Sequence, residues 1–185
     1  SCGYWISPSD TLEEAQQNKI NHIIKKLDLH PGQSVLDVGS GWGGLCFEIA
    51  RQSQCEVTGI TLSKNQYEYC IKKSKELKLD NQCHFKLLDY RKIEGKFNRI
   101  VSVGFLEHTG RKFYKTFFKK LNSLMTDDGI SLIHTIGSTE PKSPPQPWIS
   151  LNIFPGGLVP SGSDLIDAIE KTGLVLSDME SLIHH

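Results

Sequence analysis

The stretch "VLDVGSGWGG", residues 35–44, constrains the fold more than any other part of the chain. An apolar run with the character of a buried strand passes directly into Gly39, Gly41 and Gly44. "GLCFEIARQ" then continues with helical spacing. The rest of the chain alternates in the same way. "QSVLDV", "CEVTGI", "CHFKLLD", "FNRIVSV" and "GISLIHTI" read as strands. Helices are expected over "TLEEAQQNKINHIIKKLDL", over about Lys64–Leu77, over "KFYKTFFKKLNSLM" and over about Ser163–Thr172. Thr11 with Glu14 forms a capping box for the first helix, and Pro31-Gly32 closes it. A Pro-rich region spans 141–160, and "GLVLSD", residues 173–178, is strand-like. Alternation of this kind predicts an α/β fold, a doubly wound and mostly parallel sheet with helices on both faces.

In such a sheet the ligand lies outside the carboxyl ends of the strands, at the switch point. The tips after Val38, Ile60, Leu88, Val103 and Ile133 are therefore expected to line one site. They carry Gly39–Gly44, Thr61–Ser63, Asp89–Tyr90, Glu107 and His134. The glycines fit the G-x-G-x-x-G spacing of a dinucleotide fold and the D-x-G-x-G form of nucleotide-binding methyltransferases. Either needs glycine, because a side chain would block the approach of ligand to backbone. The dinucleotide reading also asks for an acid about 20 residues on. The second strand ends in "TGITLS", which offers none and weighs against NAD. Asp37 inside a buried run weakens the reading of the turn as a plain connection.

Composition narrows the class. Lys and Arg number 21 and so do Asp and Glu, so nothing global argues for nucleic acid. The five cysteines never fall as C-x-x-C, which argues against a disulfide framework or a zinc site and fits a reducing cytoplasm. No stretch approaches the length of a membrane span and no signal peptide opens the chain. At 185 residues it is expected to form one domain, with both ends reading as cut.

"SCGYW", "TLEEAQQNKI", "VLDVGSGWGG", "TGITLSKNQ", "LLDYR", "RIVSVGFLEHTG", "LIHTIG" and "IFPGGLVPS" occur together and in this order. The set resembles the cyclopropane-fatty-acyl-phospholipid synthase family, close to the mycolic acid methyltransferases, over almost the whole chain. The resemblance implies a class I S-adenosylmethionine methyltransferase fold, Rossmann-like, with strand order 3-2-1-4-5-7-6. It implies transfer of a methylene unit from that cofactor across a cis double bond of a phospholipid acyl chain. It also implies that residues 1–185 are a single catalytic domain, without the family's N-terminal lipid-binding region and clipped at the C-terminal hairpin.

Residues carry over by position. Ser1 matches the cofactor-contacting serine of the family's opening Tyr-Ser-Cys, whose tyrosine is missing here, and Gly39, Ser40 and Gly41 match the turn packed against the cofactor's methionine part. Thr61, Leu62 and Gln66 match the segment at the ribose and adenosine, and Asp89 and Tyr90 match the adenine-flanking pair. The family resemblance further implies a bound bicarbonate ion as proton acceptor. Its holders here would be Cys2, Glu107, His134 and the Ile136 backbone amide, with a tyrosine beyond residue 185. Phe154, Pro155 and Gly156 fall where the resemblance places the lid of an acyl channel. No metal is expected.

The chemistry suits these residue types. Methylating an alkene leaves a carbocation that must lose a proton to close the ring, and a strongly nucleophilic base beside it would itself be alkylated. An anion in a dry pocket needs donors, which an imidazole N–H and a backbone N–H provide. Glu107 is read as orienting the base rather than being it. Taken singly, Cys2 reads as an apolar filler, His134 as a core histidine and Thr61 with Ser63 as helix caps. The expected partner is an unsaturated phospholipid at the membrane surface, approached from the cytoplasmic side by a peripheral protein that forms, in one reading, a homodimer when full-length. Two other readings stand beside this one. Some plant N-methyltransferases share "VLDVG", "TGI" and "EH", and a non-catalytic fragment that binds lipid or cofactor is the third.

Overall fold

In the computed structural model, residues 2–139, 147–152 and 158–183 are described. Ser1, Phe154, Pro155 and Gly156 lie outside the described residues. The elements run α1 (Leu12–Leu27), β1 (Ser34–Val38), α2 (Gly44–Ser53), β2 (Glu56–Thr61), α3 (Lys64–Glu76), β3 (Cys83–Leu87), β4 (Phe97–Val103), α4 (Tyr114–Leu124), β5 (Met125–His134), α5 (Pro147–Asn152) and α6 (Gly162–Glu170). The five strands form one sheet in the order β3-β2-β1-β4-β5, and every pairing is parallel. This agrees with the expected doubly wound sheet over its first five strands.

Period-two alternation in the strands divides the core between the faces. Val35, Val57, Phe85 and Val101 pack with Ile23 and Leu27 of α1 and with Cys46, Phe47, Ile49 and Ala50 of α2. Leu36, Val38, Ile60 and Ile100 pack on the other face with Phe117, Phe118 and Leu121 of α4 and Ala168 of α6. The chain moves outward from β1 through β2 to β3 and then returns to β4. The switch point therefore falls between β1 and β4.

Two local features fix how α1 sits. Thr11 and Glu14 make the expected reciprocal capping box. At the other end Arg99 of β4, 4% exposed, reaches the helix C-terminus, where its Nε donates to the Leu27 carbonyl and its Nη2 to that of Asp28. A cation there also complements the negative end of the helix dipole.

The strand expected at 173–178 is absent: residues 174–182 carry no helix or strand. Leu174 and Leu176 alternate as a strand would, but a strand needs a ladder partner, and this segment pairs with none of the five. Its acids instead go to α1, with Lys26 bonded to Asp178 and Glu180 and His22 to Glu180. The last strand also departs from "GISLIHTI". It begins at Met125 and ends at His134, two residues earlier than expected, which leaves Thr135 and Ile136 outside the ladder.

Candidate active site

The strand tips converge on a cleft of about 430 Å³ lined by Val38, Gly39 and Gly41 from β1, Thr61, Leu62, Ser63 and Gln66 after β2, Tyr90 after β3 and Val103–Phe105 after β4. The glycine turn shapes one wall. Gly39 adopts φ +83 and its amide and that of Ser40 both donate to the Ile60 carbonyl at 3.0 Å, stitching the turn to β2. A Cβ at Gly39 would lie 2.9 Å from the Phe105 ring, whereas one at Gly41 would meet nothing within 4 Å. The first glycine permits close packing, and the second keeps backbone open to the cleft. That is the relief a ligand lying against the backbone requires.

The polar wall is pre-arranged. Thr61 Oγ1 donates to Gln66 Oε1 at 2.7 Å and accepts from the Ser63 amide at 3.1 Å, and Ser63 caps α3. Tyr90 stands edge-on to Phe105 with centroids 5.5 Å apart. Two expected cofactor residues turn elsewhere. The Ser40 hydroxyl faces the Ile60 carbonyl. The Asp89 carboxylate is engaged by the Arg91 guanidinium, whose hydrogen bonds hold it below the usual carboxylate range.

Beside the β4 tip, Leu106–His108 form a short 3-10 turn that buries Glu107 to 1% exposure. Glu107 Oε1 accepts a 2.6 Å bond from the Ile136 amide, the group freed by the early end of β5. Its Oε2 is buried without a partner among the described residues, and so is His134 Nδ1. His134 ends β5, where its carbonyl accepts from the Gly104 amide. Burial pushes its imidazole down, the Glu107 charge pulls it up and the Lys19 charge pushes it down again. Buried polar atoms normally find partners, so these two are exceptions among the described residues.

Glu107, Ile136 and His134 are thus brought together. Cys2 is exposed, and its carbonyl accepts from Lys19 Nζ at 3.2 Å. The backbone of Glu107 is tied from a third direction: its carbonyl accepts from the Leu158 amide, and the Leu158 carbonyl accepts from the Tyr114 hydroxyl. Among the described residues no group of three or more His, Cys, Asp or Glu could hold a metal ion.

Sequence reasoning passed over Lys19 and Phe105. Lys19 carries a legible signal, since it stands four residues from both Ala15 and Ile23 on a stripe that continues to Leu27. Phe105 carries none, because an aromatic after a strand is as often core.

Comparison with known proteins bears on this site. Cyclopropane-fatty-acyl-phospholipid synthase of Escherichia coli strain K12 is 41% identical over 170 residues, 92% of this chain and 43% of that protein. A probable fatty acid methyltransferase of Pseudomonas putida is 36% identical over 192 residues, covering all of this chain and 49% of its own. The chain therefore spans about half the length of these relatives. Among solved structures, the cyclopropane synthase MmaA2 from Mycobacterium tuberculosis superposes with TM-score 0.88 at 32% identity, covering 96% of this chain and 67% of that one. Mycolic acid cyclopropane synthase CmaA1 in complex with SAH and CTAB matches with TM-score 0.87, also at 32% identity, over 96% of this chain and 67% of that one. The fold is that of the class I S-adenosylmethionine methyltransferases. The family model described as mycolic acid cyclopropane synthetase matches residues 1–185, and the chain belongs to that family.

Proposed function

We propose that this chain is the catalytic domain of an S-adenosylmethionine-dependent enzyme that adds a methylene unit across a cis double bond of a phospholipid acyl chain, with bicarbonate as proton acceptor. The observation that carries the reading is the pair of buried, unpartnered atoms, Glu107 Oε2 and His134 Nδ1, beside a cleft built on a glycine turn.

Each group fits residues that are present. The open backbone at Gly41, the Thr61–Gln66 pair, Leu62 and the Tyr90 ring would hold the sulfonium cofactor. The orphaned atoms of Glu107 and His134, together with Cys2, would hold a small oxyanion with one hydroxyl, whereas the Ile136 amide, expected among its donors, is already spent on Glu107 Oε1. The overall reaction breaks the S–CH₃ bond and forms a bond to one alkene carbon. The other alkene carbon is left cationic until a proton leaves the new methyl and the ring closes. Bound bicarbonate supplies a base that is a poor nucleophile toward that cation.

The chain's own residues prepare this. His134, kept neutral by burial, can donate one ring N–H to the oxyanion. Glu107 Oε2 would accept from the hydroxyl of such an ion and so orient it. The Ile136 amide is engaged with Glu107 Oε1 and keeps that carboxylate from rotating. The Phe105 and Tyr90 rings exclude water beside the glycine turn.

The lipid-facing side is also furnished. Trp148 and Leu151 of α5, 66% and 76% exposed, offer apolar surface. Among the described residues no helix is long and apolar enough to cross a membrane. We place the protein peripherally, on the cytoplasmic face of the membrane that holds its substrate, with a homodimer as the full-length form.

One observation favours a second reading. Coclaurine N-methyltransferase, solved with N-methylheliamine and SAH, superposes with TM-score 0.82 at 29% identity over 92% of this chain. Incubation of the full-length protein with labelled cofactor and either unsaturated phospholipid vesicles or a panel of amines separates the two. The lipid reading expects product lipid heavier by one CH₂ without added oxygen. Label in amines alone refutes it.

A further inference from the structure

Positions 15, 19, 23 and 27 of α1 lie on one helical face. Ala15, Ile23 and Leu27 are buried there, while the residue between them is Lys19. A lysine in the middle of an inward stripe forfeits solvation, and burial pushes its ammonium down accordingly. Packing alone would favour an apolar residue. The head of Lys19 lies at the site: Nζ donates to the Cys2 carbonyl at 3.2 Å, and its charge bears on the Cys2 side chain and on His134. The approach of α1 is held firmly at this point, because the Tyr4 amide donates to the Ala15 carbonyl at 2.8 Å and Gly3 lies so close to Ala15 that a Cβ would be 2.5 Å from the alanine methyl.

We propose that Lys19 is a positioning residue of the oxyanion site, fixing Cys2 through its backbone and supplying the positive charge that lets an anion settle between Cys2, Glu107 and His134. This rests on the reading of that site as an oxyanion pocket. Without a cation, an incoming anion would meet the Glu107 carboxylate across a poorly screened space. Lys19, bonded to the Cys2 carbonyl, would set a cation against the carboxylate. The cation stays near the rim rather than fully enclosed, so its contribution is moderated by solvent.

The test uses the full-length protein, its Lys19→Met and Lys19→Arg variants, and sodium bicarbonate added back to carbonate-depleted buffer. Turnover on unsaturated phospholipid vesicles and calorimetric cofactor affinity are both read. Lys19→Met is expected to raise the half-saturating bicarbonate concentration by about tenfold or more while cofactor affinity changes by less than about twofold. Lys19→Arg, which keeps the charge, should recover most of the loss. An unchanged bicarbonate requirement in Lys19→Met, with the wild type responding normally, overturns the role of Lys19 alone. So does a parallel loss of cofactor affinity and turnover that Lys19→Arg fails to recover, since that identifies a purely structural lysine. A wild type indifferent to bicarbonate refutes the oxyanion pocket itself and this role with it.

Discussion

Glu107 is bonded through one carboxylate oxygen to the Ile136 amide at 2.6 Å, and its other oxygen is sealed from water without a partner among the described residues. The bonded oxygen fixes the side chain, and the orphaned one defines a direction in which a guest must offer a donor. A buried acceptor left unpaired costs about 1–3 kcal/mol, more when charged. The pocket is therefore costly when empty of a donor, which favours binding of a ligand that brings one.

Replacing Glu107 by Gln keeps the shape but removes the charge and half the acceptor capacity. Turnover should fall by about a hundredfold or more, as expected where an interaction of ~3 kcal/mol is lost in the transition state. Cofactor affinity should stay within about threefold, because the contact lies outside the glycine turn. Product analysis and calorimetry on the same preparation check this. Equal losses in both would show a role in folding or cofactor binding.

Gly39 and Gly41 should respond differently to alanine. Gly39→Ala adds a Cβ 2.9 Å from Phe105 at φ +83, and should lower stability by roughly 1–3 kcal/mol and weaken cofactor binding. Gly41→Ala meets no protein atom within 4 Å, so its loss of stability should be the smaller, near 1 kcal/mol of backbone strain. Cofactor affinity should nonetheless fall in Gly41→Ala, since its methyl occupies the cleft. Urea melts with and without the cofactor distinguish the two patterns.

Asp37 gives a pH signature. It is 2% exposed, accepts a 3.2 Å bond from the Cys46 thiol, and burial raises its carboxyl to about 6. Its folded value lies above the unfolded one, so the folded chain keeps a proton that the unfolded chain has released. This makes stability decline as pH rises from about 4 to about 6, and the penalty persists at neutral pH. Asp37→Asn removes that slope. Relative to wild type, the variant should gain on the order of 3 kcal/mol between pH 4 and pH 7. A difference independent of pH in denaturant titrations would refute this assignment.

Arg99→Met should destabilise the fold by about 2–4 kcal/mol, because the carbonyls of Leu27 and Asp28 lose their donors in a buried setting. The midpoint of urea unfolding measures it. Loss confined to activity would mean that α1 is held by other contacts.

Much of this was readable before the coordinates because local physics agreed with the global fold. "VLDVGSGWGG" forms strand, turn and helix as its spacing demands, and the capping box at Thr11 begins its helix. What stayed hidden depended on neighbours distant in sequence. "GLVLSD" has the alternation of a strand and lacks a strand beside it. The pairing of the Asp89 carboxylate with Arg91 is likewise not announced by its motif. The pairing of Glu107 with Ile136 follows from β5 ending at His134, a boundary that residue preferences do not set. Lys19 was visible only as a break in an apolar stripe. Its meaning came from the elements that meet there.

The bond from the Leu158 amide to the Glu107 carbonyl, braced by Tyr114, has a consequence for timing. If the proposed lipid reading holds, a tail that displaced Leu158 would pull on the backbone carrying Glu107, and lodging of the hydrocarbon would be coupled to placement of that acid. A short or poorly seated chain would then be rejected by misalignment rather than by weak affinity.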